Sequence, residues 1–143
     1  MFDLNSLRTD EDLENSGAWR DLGNGSRLKL ARLGNAQFKK MFSELILPFS
    51  EAGTPIPEES QKEFTVKCLA RTVLVGWEGI YDGDTPLEYS YENAVRTLEE
   101  IKDFRDLVIK LAGSLDAYKV KQDKVLEGNS ESASGGSQSL ETN

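Results

Sequence analysis

The stretch from Pro57 to Val75 constrains the fold most. Val66, Leu69, Ala70, Val73 and Leu74, with Cys68 and Val75, are apolar on more than one side of any helix they form. Only Lys67 and Arg71 draw a polar stripe along it, at i and i+4. A helix apolar nearly all round must be enclosed by its neighbours, so a central helix is expected over about 57 to 75. Pro57 suits the first helical turn, and Glu58 and Glu59 place negative charge where the helix dipole favours it.

The flanking segments supply the covering faces. Asn35 is placed to cap a helix whose Phe38, Met41, Phe42 and Leu45 recur at three- and four-residue spacing, with Pro48 expected to end it near residue 47. Ser90 is placed to cap a helix from Tyr91 to about Glu100, and a break near Asp103 starts another. In that last helix Phe104, Leu107, Val108, Leu111, Leu115 and Tyr118 share one stripe while Arg105, Asp106 and Lys110 point away, so helices are expected over about 91 to 126. Upstream, Ala18–Leu22 and Ser26–Ala31 flank Gly23-Asn24-Gly25. Leu28 and Leu30 alternate with Arg27 and Lys29, the period of a half-exposed strand, so this is read as a hairpin. The class is α+β, mainly α: an N-terminal β-hairpin followed by about four helices in one small domain.

A chain of 143 residues suits one such core. Residues 1–16, rich in Asp and Glu, read as a loose acidic leader, residues 17–126 as the domain, and the Gly/Ser-rich residues 127–143 as a disordered tail. Between Gly76 and Glu88 the glycines and Asp82-Gly83-Asp84-Thr85-Pro86 describe a shaped loop, with room for a short hairpin that could pair Tyr81 with Tyr89.

Much chemistry is missing. There is no His, which removes the usual general base, the triads built on it and nearly every zinc site. Cys68 is alone and reads as a small core residue. No phosphate-binding Gly-rich loop occurs. The formal net charge of -8 opposes nucleic acid, no apolar run is long enough to span a membrane, and the first residues lack the regions of a signal peptide, so the protein is expected to stay where it is made.

Three motif matches are weak. Ser26-Arg27-Leu28-Lys29 has the Ser-x-x-Lys spacing of some acyl enzymes, but residues three apart on a strand face opposite sides. Gly76-Trp77-Glu78-Gly79 has the spacing of a nucleic-acid clamp of KH type, yet carries an acid. Glu78, Asp82, Asp84 and Glu88 could gather round calcium, but fail the EF-hand pattern. No catalytic residue, metal or cofactor is therefore expected. The enzymatic alternative is a carboxylate-dependent hydrolase using Glu78 with Asp82 or Asp84.

Thr72-Val73-Leu74-Val75-Gly76-Trp77-Glu78-Gly79, an acidic turn, and Pro86-Leu87-Glu88-Tyr89-Ser90-Tyr91-Glu92-Asn93-Ala94 resemble the signature of the tail assembly chaperones of long-tailed bacteriophages. Ala31-Arg32-Leu33-Gly34-Asn35 before a Phe-bearing helix, Asp103-Phe104-Arg105-Asp106-Leu107-Val108 and Ala112-Gly113 are similar to the same group, so the resemblance covers roughly residues 17 to 118. It implies a non-catalytic protein of the host bacterial cytoplasm that binds the tape-measure protein and tail-tube subunits, and is absent from the mature virion. A minor tail or head-tail joining protein of the virion is the structural alternative. Neither nucleic acid nor membrane is an expected partner, and self-association stays open. Trp77, Ile80, Tyr81, Tyr89 and Tyr91 are the candidate partner-binding residues, since they lie on or beside turns and aromatic rings supply contact area at small entropic cost. Trp77 competes for a second role, as a core plug anchoring the loop.

Overall fold

The computed structural model describes residues 1–120. Residues Thr9–Tyr118 form one compact unit, an α+β domain that is mostly helical. Met1–Arg8 belong to another with Lys119 and Val120; in it Asp3 caps a 3-10 turn over Leu4–Leu7 and the Val120 amide donates to the Arg8 carbonyl.

The domain starts with α1 (Glu11–Ser16), inside the stretch expected to be a loose leader. The Asp10 carboxylate accepts from the Asp12 and Leu13 amides, and three acids fill the first turn. Glu14 pairs with Arg32, which ties this helix to the chain after the hairpin.

Strands β1 (Ala18–Gly23) and β2 (Ser26–Leu30) form the expected hairpin, with Gly23 opposite Ser26. The turn is therefore Asn24-Gly25 alone, and both residues hold positive φ, 56° and 81°, as a type I′ turn requires. Leu28 and Leu30 are fully buried on the inner face.

Helix α2 (Ala36–Ala52) starts as expected, with the Asn35 side chain accepting from the Phe38 amide. It does not end at Pro48. That residue lies inside the helix, where the chain forgoes one hydrogen bond to Glu44 and continues. The stop is Gly53 at φ 67°: its amide donates to Ser50 and the Thr54 amide to Phe49, a Schellman pattern that satisfies the last carbonyls.

Helix α3 (Glu58–Thr72) is the enclosed central helix, with Val66, Cys68, Leu69, Ala70 and Thr72 buried. It ends three residues before the expected limit of 75, and the chain goes straight into β3 (Leu74–Glu78). β3 pairs antiparallel with β2, giving a three-stranded sheet in the order β1-β2-β3. The open edge of β2 decides the switch. Val73, Val75 and Trp77 favour a strand once that edge offers backbone partners. Thr72 helps terminate the helix by donating its hydroxyl back to the Cys68 carbonyl.

A two-residue turn joins β4 (Tyr81–Asp82) to β5 (Thr85–Pro86), where Tyr81 lies opposite Pro86 rather than Tyr89. Helix α4 (Tyr91–Glu100) is capped by Ser90 as expected, and Ile101 breaks it from α5 (Lys102–Ala112). Arg105 does not point away: its guanidinium donates to the Leu98 carbonyl at 2.7 Å and closes the end of α4. The expected last helix is also shorter. It ends at Ala112, and Tyr118 sits on a 3-10 turn, fully buried, donating to the Leu30 carbonyl. Residues 121–126 of that expectation, and the tail at 127–143, lie outside the described residues. The core joins Leu28, Leu30, Leu74 and Trp77 of the sheet to Leu69 of α3, Leu98 of α4 and Val108 of α5.

Candidate interaction site

The segment from Leu74 to Tyr91 is built on Trp77. Its alternation in β3 turns the indole inward, 6% exposed, where Nε1 donates to the Leu87 carbonyl at 2.8 Å. The Tyr89 ring meets it edge-on at 5.2 Å and the Phe104 ring at 6.5 Å. Tyr89 donates its hydroxyl to the Leu74 carbonyl, and burial pushes the phenol pKa up. These bonds fasten the chain beyond the turn to the strand before it. Trp77 is therefore a core plug that anchors the loop.

Ile80 and Tyr81 stand where this base ends. The Leu87 amide donates to the Ile80 carbonyl, so β4 and β5 close into a small hairpin. Ile80 is half-buried against the core, whereas Tyr81 is 59% exposed. Tyr91 lies apart from them, half-buried at the start of α4 with the Arg71 guanidinium 3.9 Å over its ring. The structure thus joins Trp77 to Tyr89, puts Ile80 and Tyr81 on the hairpin, and places Tyr91 beside α3.

Gly79 makes the connection possible. It holds φ 67°, and a Cβ there would stand 2.5 Å from the Gly25 carbonyl oxygen. The turn of one hairpin therefore rests on the backbone leading into the other, helped by the Ser26 hydroxyl donating to the Gly79 carbonyl.

The acids do not converge. Glu78 is exposed on the outer sheet face and pairs with Arg27 at 2.9 Å, which holds its carboxyl below the usual range. Asp82, Asp84 and Glu88 are exposed. Among the described residues no group of three or more His, Cys, Asp or Glu is placed to hold a metal ion, and no helix is long and apolar enough to cross a membrane.

Several contacts on the outer sheet face have no signature in any one stretch of sequence. Arg27 lies 3.9 Å over Trp19, and the Trp19 ring reaches past Lys29 to within 3.9 Å of the place a Cβ on Gly76 would take, an ordinary packing distance. Strand alternation carries part of that signal: the β1–β2 pairing puts Trp19, Arg27 and Lys29 on one face, and the pairing of β3 with β2 adds Gly76 to it.

A family model described as YdaY prophage protein matches residues 33–129. The chain belongs to that family. The match runs from Leu33 through all five candidate contact residues, so the segment around Trp77 lies within the family's common region and the β1–β2 hairpin before it. A family of prophage proteins gives the chain a bacteriophage origin. No curated protein and no solved structure matches the chain.

Proposed function

We propose that the chain is a non-catalytic tail assembly chaperone that binds the phage tape-measure protein, and tail-tube subunits, in the host bacterial cytoplasm and leaves before the virion is complete. The observation that carries this reading is the build of the Trp77 to Tyr89 segment within a phage protein: a fastened aromatic base holding an exposed Tyr81 on a tight hairpin. Such a ring loses little freedom on binding and adds contact area, which suits holding a partner. The likeness of residues 17 to 118 to tail assembly chaperones supports the same reading. A non-catalytic role is supported by the tie of Glu78 to Arg27 and by the exposure of Asp82 and Asp84, which disfavour the carboxylate hydrolase.

The test is co-expression with the tape-measure protein of the same phage. The full chain should co-purify with it, and Tyr81→Ser should lower its affinity by about tenfold. Mass spectrometry of purified virions should find no copy of the chain. Stoichiometric copies there would replace this reading with a minor tail or head-tail joining protein.

A further inference from the structure

Helix α2 is the longest in the described chain, yet none of its residues is buried. Its apolar side chains fall into adjoining stripes. Phe38, Phe42, Leu45 and Phe49, spaced four, three and four residues apart, include the side that meets the domain. Phe38 packs on the core, and the Phe49 ring lies 6.1 Å from Phe64 of α3. The next stripe, Met41, Leu45, Pro48 and Ala52, has only half-buried and exposed members. Beyond it run Lys40, Glu44, Leu47 and Glu51, where Leu47 is 50% exposed.

We propose that this free side of α2 is the seam of a homodimer, formed by two copies pairing α2 antiparallel across a two-fold axis. The charges select this occupant. Lys40 and Glu51 are eleven residues apart, about three helical turns, so they sit at opposite ends of one edge. Reversing a second helix against the first, centred between Leu45 and Ile46, sets Lys40 of each copy beside Glu51 of the other. The same register lays Leu47 along the methylenes of Glu44. An edge with base at one end and acid at the other is complementary to its own reverse. Among the described residues Lys40, Glu44 and Glu51 make no ion pair, so these charges are available to a second copy. The inference does not rest on the proposed function, since it uses a different element from the Tyr81 hairpin.

Sedimentation equilibrium of the full chain tests it, in about 0.15 M salt so that the net charge of -8 on each copy is screened. The parent chain should show a reversible monomer–dimer equilibrium. Lys40→Glu and Glu51→Lys should each raise the dimer dissociation constant about tenfold, because each replaces two attractions by two repulsions. The double variant should return to within about twofold of the parent, since the swap restores both pairs with reversed sign. Circular dichroism confirms that each variant keeps its helices. A parent chain that stays monomeric at several hundred micromolar overturns the proposal, as does a dimer indifferent to both single swaps.

Discussion

Replacing Gly79 by Ala, with Gly83→Ala as its control, isolates the close approach of the two hairpins. Both glycines sit at nearly the same positive φ, 67° and 64°. For either, an Ala in the left-handed region costs about 1–2 kcal/mol, partly offset by about 0.4–1 kcal/mol from the stiffer unfolded chain. Gly83 has nothing within 4 Å of a new Cβ, so its substitution should cost about 1 kcal/mol or less. At Gly79 the same methyl would lie 2.5 Å from the Gly25 carbonyl oxygen and 3.2 Å from the Ser26 Cα. Both are backbone atoms, so no side chain can swing aside. Forcing the turn away adds an overpacking cost of about 1–3 kcal/mol and strains the 2.7 Å bond from Ser26 to the Gly79 carbonyl, adding about 1 kcal/mol. Gly79→Ala should therefore lose about 2–5 kcal/mol. Urea unfolding followed by tryptophan fluorescence measures both variants on one scale. Equal midpoints for the two would refute the packing argument and leave only backbone strain.

Two further perturbations follow from the fold. Pro48→Ala should raise stability by about 1–3 kcal/mol in the same titration, because it restores an amide donor for the Glu44 carbonyl within α2; a loss would mean the proline ring has a packing role. Tyr118 gives a pH dependence: burial pushes its pKa from 10.0 up to about 12. The unfolded chain releases this proton first, so the contribution is whole below about pH 10 and falls as pH rises towards 12. Tyr118→Phe should flatten that alkaline decline and cost about 1 kcal/mol at neutral pH through the lost bond to Leu30; an unchanged alkaline limb in urea titrations at pH 9 to 12 would assign the decline to other groups.

What the sequence determined by itself was local. The apolar wrap of the helix from Val66 onward required an enclosed helix, Asn35 and Ser90 named their helix starts, and Gly23-Asn24-Gly25 marked the turn that the strand pairing narrows to Asn24-Gly25, because caps and tight turns depend on side chains within a few residues. The absence of His removed families of chemistry without any structure. Of the candidate contact residues, the sequence marked the stretch but could not rank its members: Trp77 and Tyr81 are four residues apart, one in the core and the other 59% exposed.

Tertiary structure decided what depended on a distant partner. Val73 to Val75 fits a helix or a strand by composition, and the edge of β2, more than forty residues away in sequence, settles it. Pro48 looked like a stop because the local cost of proline is certain, whereas the helix continues to the Gly53 cap with Phe49 against Phe64. Arg105 seemed a solvent residue until the end of α4 supplied carbonyls for it. The Trp77 loop went the same way. Its glycines announced a shaped chain, but the need for Gly at residue 79 comes from the Gly25 carbonyl, a contact between two turns that no local pattern encodes.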